Sequence, residues 1–301
     1  TAHNDADGLI SLVIFLKAKN NPRCKVYFST NSALKDVICS SIIGNDKLKE
    51  LYIFDISPNE KTLKLASVYE KVLWIDHHQY QNIGAPKNIE IVIDSSCPSA
   101  AQLVAKYFNV EDPLIEIANQ IDTNNIKSEE AEFLRDLIGA IKWKYRGLVI
   151  SNKLKSIAKT LLSKGLEEFE RDEGIAKLIG EFKEWQKRME DEALKRVLFF
   201  EIEGKKLAIY ESTFMVPAYI LTERLKEHEN APFDIIAMLV HKAQRDNIVT
   251  KVELRTHTGF DVHKIATSLG GGGHKVASGA TYEGFLSAKE FVEYAKSFLK
   301  E

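Results

Sequence analysis

The chain has 301 residues, 45% of them hydrophobic, which is enough for two domains with substantial cores. Its 41 Lys and Arg residues nearly balance its 43 Asp and Glu residues, which argues against a purely nucleic-acid-binding module with a basic surface. Three widely spaced cysteines argue against a disulfide scaffold, and no apolar run approaches the roughly 20 residues of a membrane span. We therefore expect a soluble protein of the cytoplasm.

Side chains that can bind metals occur at the very start of the sequence. His3, Asp5 and Asp7 alternate, so in an extended segment all three project to one side. Gly8 then permits a tight turn, and the apolar spacing over residues 9–17 predicts a helix. An Asx-rich loop that caps this helix is the alternative, although capping needs only one carboxylate. A strand should lead into His3, so we expect either a longer native chain or a first strand cut to a stub.

The next segments continue an alternation of strands and helices. A strand is predicted near residues 25–28 and a helix over residues 32–43. The apolar run at residues 50–56 predicts a second strand, with Asp55 near its end. Pro58 then suits the first turn of a helix.

The apolar run at residues 72–75 is typical of a strand buried on both faces of a parallel sheet. Asp76, His77 and His78 follow it directly, where open α/β sheets hold their ligands. Imidazole and carboxylate groups together suit a divalent cation. A strand end with two solvated histidines is the alternative. Acidic residues also follow the earlier strands, and carboxylates crowded together without a cation would repel one another, which favours the metal site.

A further strand at residues 90–94 is followed by residues 95–99, the predicted start of a helix. The free amides there could hold a phosphate, or they could serve only in capping. Helices are predicted over residues 100–108 and 114–121, and Asp122 directly follows the second helix. The whole alternation predicts an α/β domain with a doubly wound parallel sheet over residues 1–128.

Residues 129–196 are helical in pattern and highly charged, which predicts a helical connector. Within it, residues 142–146 interleave cations and aromatic rings (Lys-Trp-Lys-Tyr-Arg), as proteins that bind single strands do. A helix with one solvated and one packed face is the alternative. The charged stretch at residues 167–196 is a candidate docking surface for a protein partner.

The last segment, residues 197–301, predicts a smaller α/β domain. Strands are expected near residues 197–203, 207–211, 235–240 and 249–255, and helices near residues 217–227 and 262–269.

A glycine run follows the last of these helices. Gly271, Gly272 and Gly273 belong to four consecutive glycines, which are poor helix and strand material but let backbone amides approach an anion closely. His274 adds a further donor, and Arg255 at a strand end could grip a second phosphate. These five residues predict a phosphate cradle, with a flexible hinge as the alternative.

Taken together, these motifs resemble the DHH phosphoesterase superfamily, in the branch with a DHH-associated C-terminal domain (RecJ-like or NrnA-like nucleases). The resemblance covers almost the whole chain. Five segments match the family's motifs in order: residues 3–8, Asp55, Asp76-His77-His78, Asp122, and the C-terminal signature at residues 270–274 with Ala277-Ser278-Gly279.

The resemblance implies two Mn²⁺ ions, with Mg²⁺ as an alternative. One ion would be bound by His3, Asp5 and Asp55, and the other by Asp7, Asp55, His77 and Asp122. Asp76 and His78 would be the catalytic residues, with His78 facing the substrate phosphate and Asp76 supporting it. Such a site shields a phosphodiester and activates a hydroxide for its hydrolysis.

Three functions remain open. The first is a manganese-dependent exonuclease on single-stranded DNA or RNA, with DNA repair as its setting. The second is a phosphatase or phosphodiesterase for small nucleotides, namely pAp, short oligoribonucleotides or cyclic dinucleotides. The third is a binding subunit associated with a helicase or a replication or repair protein, a partner that an enzyme could also have.

Overall fold

The computed structural model describes residues 1–20, 23–44, 47–79, 84–244 and 247–299. The chain divides into two compact units, Thr1–Lys183 and Glu184–Glu301. No helix in these described ranges is long and apolar enough to cross a membrane.

Strands and helices alternate in the first half of the first unit. They are β1 (Ala2–His3), α1 (Ala6–Ala18), β2 (Phe28–Ser29), α2 (Leu34–Ile43), β3 (Glu50–Phe54), α3 (Glu60–Ala66), β4 (Lys71–Asp76) and β5 (Ile89–Ile93). The five strands form one parallel sheet in the order β2-β1-β3-β4-β5.

Both faces of this sheet are covered, as the apolar run in β4 predicted. Leu73 and Ile75 lie in the core that contains α1, whereas Val72 and Trp74 lie in the core that contains α2 and α3. The two sets alternate because successive side chains of a strand point to opposite faces. The predicted doubly wound parallel sheet is confirmed.

Six helices follow the sheet strands: α4 (Ala100–Phe108), α5 (Leu114–Asp122), α6 (Glu129–Lys144), α7 (Leu148–Ser163), α8 (Glu167–Glu170) and α9 (Glu173–Leu194). Leu134 of α6 and Leu154 of α7 are fully buried in the same core as Leu9 of α1. The division into units therefore differs from the predicted segments 1–128, 129–196 and 197–301. Apolar residues of α6, α7 and the first part of α9 pack in the core of the first unit, whereas Ala193 near the end of α9 packs in a core of the second, so the boundary falls within α9.

The second unit is built on one mixed sheet. Its elements are β6 (Val197–Ile202), β7 (Lys205–Ser212), α10 (Ala218–Leu225), β8 (Ile235–Gln244), β9 (Asn247–Arg255), α11 (Val262–Ser268), β10 (Gly272–His274), β11 (Ala277–Glu283) and α12 (Ala288–Ala295). The strand order is β10-β11-β9-β8-β7-β6. Of the neighbouring strands, β7 and β8 run parallel and the other pairs are antiparallel. The smaller α/β fold is as predicted, with β10, β11 and α12 in addition.

Candidate metal centre and phosphate-binding residues

The polar residues predicted to bind metals lie together because their strands are neighbours. β1, β3 and β4 are adjacent and parallel, so their carboxyl ends meet at one edge of the sheet. Each end carries metal-capable groups: His3 ends β1 and Asp5 follows it, Asp55 follows β3, and Asp76 ends β4 with His77 directly after it. Asp7 and Asp122 reach the same place from the first turn of α1 and the last residue of α5.

Asp55 lies at the centre of the cluster. Its φ of 60° is left-handed, a conformation that Asp tolerates better than most residues. Its backbone N–H donates to the carbonyl of Ile75 at 2.9 Å, which ties this turn to β4. The carboxylate is buried, and within the described part of the chain its Oδ2 atom has no hydrogen-bond partner. A buried carboxylate oxygen of this kind is suited to a cation.

Three sets of ligand atoms in the described part of the chain include Asp55; in one of them its partners are Asp76 and His78, which already contact each other, and the other two face the centre of the cluster. His3, Asp5 and Asp55 form one set and Asp7, Asp55 and His77 the other, with all atoms of a set within 4.8 Å of one another. His3 Nδ1 lies 3.6 Å from Asp55 Oδ2 and also contacts Asp5 Oδ2. Cation–ligand distances of about 2.0–2.2 Å put neighbouring ligands roughly 3–4 Å apart, so this spacing fits a metal ion.

His77 joins the second set through its Nε2 atom. This atom lies 3.6 Å from Asp7 Oδ2, 3.8 Å from Asp55 Oδ1 and 3.3 Å from Asp122 Oδ2. Its other ring nitrogen, Nδ1, lies 3.1 Å from the carbonyl oxygen of Cys97. A carbonyl can only accept, so Nδ1 donates to it, and Nε2 is the ring atom that faces the carboxylates.

The carboxylate of Asp7 accepts hydrogen bonds from backbone amides at the N-terminus of α4. The backbone N–H groups of Ala100 and Ala101 donate to its two oxygens at 2.6 and 2.7 Å. The hydroxyl of Ser99 caps the same helix by accepting from the N–H of Gln102 at 3.1 Å. Of the two interpretations of residues 95–99, the geometry therefore favours capping, since the first amides of α4 bind a carboxylate of the protein.

Asp76 orients His78. Asp76 Oδ1 lies 2.7 Å from His78 Nδ1, and its Oδ2 accepts from the hydroxyl of Ser57 at 2.9 Å. Asp76 is fully buried, which fixes the imidazole against the end of the sheet. The Nε2 side of His78 faces away from this contact.

The crowding of carboxylates makes ionisation costly. Burial, followed by the charge of Asp7, raises the pKa of Asp55 well above its usual range. Burial and then Asp122 raise the pKa of Asp7 to about 7, and burial and then Asp5 raise that of Asp122 to about 7. Divalent cations would supply the missing positive charge.

For Asp5 and His78, in contrast, the interaction with a neighbouring group outweighs the effect of burial on the pKa. Burial alone would raise the pKa of Asp5, but the adjacent His3 imidazole outweighs burial and lowers it. Burial alone would lower the pKa of His78, but its hydrogen bond to Asp76 raises it to about 9. The two partly exposed histidines are thus each paired with one carboxylate, His3 with Asp5 and His78 with Asp76.

Gly8 is required by the close approach of α1 to β1. A Cβ atom at this position would lie 2.4 Å from the carbonyl oxygen of His3. No side chain fits there, so the glycine of the first motif lets the helix begin beside the ligands.

Arg255 and His274 of the predicted phosphate cradle share one face of the second unit's sheet. Ala277 of β11 pairs with His274 on one side and with Arg255 on the other. Directly opposed residues in antiparallel strands project to the same face, so both side chains flank the small Ala277. Two strand spacings separate them by about 10 Å.

The sequence predicts that the glycine run is unsuited to a strand. In the structure, however, Gly272–His274 forms the strand β10. A Cβ atom at Gly271 would lie 2.0 Å from the carbonyl oxygen of Gly279, and one at Gly273 would lie 2.7 Å from that of Ala277. The glycines therefore let two backbones approach closely, a structural demand that the local sequence pattern does not reveal.

Comparison with known proteins supports this architecture. The DHHA1 domain family matches residues 206–301. A pGpG-specific phosphodiesterase, PggH, from Vibrio cholerae aligns with 99% of this chain and 98% of its own, at a TM-score of 0.60 and 14% identity. RecJ from Thermus thermophilus, solved in complex with Mn²⁺, aligns with 99% of this chain but with only 51% of its own length. The TM-score is 0.58 and the sequence identity is 13%.

An exopolyphosphatase-related protein from Bacteroides fragilis aligns with 100% of this chain and 92% of its own, at a TM-score of 0.53 and 16% identity. A comparison with curated protein sequences gives no significant match. Likeness at these identities shows a shared fold, and the chain spans about half of RecJ.

Proposed function

We propose that this chain, whose residues 206–301 match the DHHA1 domain family, is a DHH-superfamily phosphoesterase, and specifically a two-metal phosphodiesterase acting as an exonuclease on single-stranded DNA or RNA. The observation that supports this proposal is that the buried Asp55 carboxylate belongs both to the set with His3 and Asp5 and to the set with Asp7 and His77. Paired sites of this kind suit displacement at phosphorus.

Each set of ligands would hold one divalent cation. His3, Asp5 and Asp55 would bind the first, and Asp7, Asp55, His77 and Asp122 the second. We propose Mn²⁺ because the RecJ structure of similar fold contains it, with Mg²⁺ as the alternative. Two such cations supply charge neutralisation and an activated water for attack on a phosphodiester.

The chain's own residues would position the substrate. Asp76 holds His78 by its Nδ1 atom, and we assign the imidazole to binding a phosphate oxygen of the substrate. In the second unit, we assign Arg255 and His274 to binding of the nucleotide's phosphates, because their side chains share one face of the sheet.

A phosphodiesterase for dinucleotides such as pGpG, or for pAp, is the second candidate. The alignment with PggH covers 98% of that enzyme, whereas the alignment with RecJ covers 51%, so nearly all of the dinucleotide enzyme has a counterpart in this chain. The accessory role remains a prediction. A non-catalytic binding subunit would not need a complete set of metal ligands. A helicase or replication protein that binds residues 167–196 is compatible with either enzyme.

One experiment separates these functions. Single strands of 2 to about 24 nucleotides, labelled at either end, are incubated with Mn²⁺ or with a chelator. The exonuclease proposal predicts mononucleotide release from long strands that stops in chelator. A kcat/KM for dinucleotides at least about 10-fold above that for long strands would favour the second candidate. Equal inertness with metal and with chelator would contradict both.

A further inference from the structure

Two neighbouring helices fix the positions of two carboxylates of the metal centre. The backbone amides of Ala100 and Ala101, at the N-terminus of α4, donate to the carboxylate of Asp7. Asp122 is the last residue of α5. The position of Asp7 relative to Asp122 therefore depends on how α4 and α5 are joined.

The two carboxylates approach the same atom of the centre. Asp7 Oδ2 lies 3.6 Å from His77 Nε2, and Asp122 Oδ2 lies 3.3 Å from it. Two carboxylates that face one nitrogen repel each other before a cation binds. A contact that joins the two helices opposes this repulsion and keeps both ligands in place.

A closed ring of three hydrogen bonds joins α4 to α5. The hydroxyl of Ser99 donates to Asn119 Oδ1 at 2.7 Å, and Asn119 Nδ2 donates to Gln102 Oε1 at 2.8 Å. The backbone N–H of Gln102 donates to Ser99 Oγ at 3.1 Å, which closes the ring. Ser99 is fully buried, and each group in the ring is neutral. The ring therefore joins the helices without adding charge beside the carboxylates.

Asn119 lies on α5 one helical turn before Asp122, so the two side chains belong to neighbouring positions of one face. The next residue, Gln120, holds the same end of α5 to the following helix. Its Oε1 atom accepts from the backbone amides of Lys127 and Ser128 at 2.8 and 2.9 Å, at the start of α6. The end of α5 that carries Asp122 is thus fixed on two sides, and Asn119 makes the polar contact on the side of α4.

We propose that Asn119 is a positioning residue that holds α5 in place so that Asp122 completes the ligand set around His77. This inference rests on the proposed function, because it assigns Asp122 to a metal site. Asn119 contacts the ring of hydrogen bonds and acts on the metal through Asp122. An amide suits this role because it accepts and donates at the same time.

The test is a double-mutant cycle between Asn119→Ala and Asp122→Asn. Binding of Mn²⁺ to the metal-free protein is measured by calorimetry for the wild type, both single variants and the double variant. Ser128→Ala is the matched control, because it removes the side-chain cap of α6 and lowers stability without a contact to α4. Thermal unfolding confirms that each variant is folded.

Asn119→Ala should weaken one of the two ions by about 10-fold, the lower end of the range for groups that support a metal ligand. The weakened ion should be the one that Asp122→Asn also weakens, and the other ion should keep its affinity. In the Asp122→Asn background, Asn119→Ala should cause no further loss, because both changes act on one ligand. Ser128→Ala should bind both ions as the wild type does.

Gln102→Ala is a second, milder variant. It removes the acceptor of Asn119 Nδ2 and leaves the hydrogen bond from Ser99. It should weaken the same ion by a smaller factor than Asn119→Ala. If Asn119→Ala does not fold, an unchanged affinity for both ions in Gln102→Ala would overturn the inference.

The inference is also overturned if the effects of Asn119→Ala and Asp122→Asn add, or if Asn119→Ala weakens neither ion or both equally. Asn119 would then contribute only to the packing of the helices. A wild-type protein that is inert toward every oligonucleotide would contradict the proposed function alone, because binding of Mn²⁺ still decides the role of Asn119.

Discussion

Asp76 Oδ1 lies 2.7 Å from His78 Nδ1, and this contact sets the direction in which the imidazole faces. Asp76→Asn would replace the carboxylate with a neutral amide, so His78 would lose its fixed orientation and its charge partner. We expect activity to fall by about 10- to 100-fold, the usual effect of removing such a supporting group. Steady-state kinetics measures this effect. Ser57→Ala, which removes only the second contact of Asp76, is the control and should lose less; unchanged activity in Asp76→Asn would contradict the role of Asp76.

Gly8→Ala should destabilise the first unit. Its Cβ atom would lie 2.4 Å from the His3 carbonyl oxygen, so α1 or β1 must shift. We expect the free energy of unfolding to fall by about 1–3 kcal/mol, and Mn²⁺ affinity to fall with it. Gly180→Ala in α9 is the control, because a Cβ there meets nothing within 4 Å. The control should be neutral or stabilising by up to about 1 kcal/mol in chemical denaturation; equal stability of the two variants would contradict the account of Gly8.

The metal-free protein should lose stability as pH rises from about 4 to about 7. The pKa of Asp7 and of Asp122 is about 7 in the folded protein, against an ordinary value of 3.8. The folded state therefore binds protons more tightly than the unfolded state within this window, and deprotonation favours unfolding. Asp5 and Asp76, whose pKa values are lowered, act in the opposite sense only below about pH 4. Burial lowers the pKa of the Thr1 amino group to about 5, so this one group opposes the trend above about pH 5, against the several buried carboxylates.

Thermal unfolding in chelator between pH 4 and 8 measures this effect. Mn²⁺ should raise the midpoint most near pH 7, where the carboxylates are ready to bind it. Asp7→Asn is the control and should flatten the profile of the metal-free protein. A midpoint that rises with pH in chelator would show that these carboxylates do not repel one another.

Arg255→Ala and His274→Ala should each raise KM more than they lower kcat. Both side chains project from one face of the second sheet and are assigned to binding nucleotide phosphates. We expect KM to rise by about 10-fold, as for loss of a hydrogen bond to a charged group. Arg224→Ala is the control, because Arg224 pairs with Glu227 and Glu190 elsewhere in the unit. A loss confined to kcat would contradict the binding role.

The sequence predicts the parts of this fold that depend on local patterns. The apolar run before Asp76 identified β4 as a strand buried on both faces, because its side chains must alternate between two cores. Parallel strands then bring Asp55 and Asp76 to one edge, so convergence of the candidate ligands is foreseeable from the positions of acidic residues after strands. Helix caps such as Ser99 before α4 are equally local.

Other features depend on pairing between distant residues and could not be predicted this way. The glycines of β10 are required by the backbone of β11, and Asp7 is held by amides that lie 93 and 94 residues away. The mixed cationic and aromatic run at residues 142–146 is a further case: the ring of Trp143 lies 6.0 Å from that of Phe182 on α9, and Arg146 donates to the carbonyls of Lys142 and Trp143. These contacts favour a packed helix end over rings offered to bases, and only the tertiary structure distinguishes the two.

The sharing of Asp55 by two cation sites is tested most directly by counting bound metal. Titration of the metal-free protein with Mn²⁺, followed by calorimetry and by the electron paramagnetic resonance signal of free Mn²⁺, gives the number of ions and their affinities. We predict two ions for the wild type and weakened binding of both in Asp55→Asn, because each site loses a ligand. Binding of a single ion by the wild type, or two ions of unchanged affinity in Asp55→Asn, would contradict a centre built around this carboxylate.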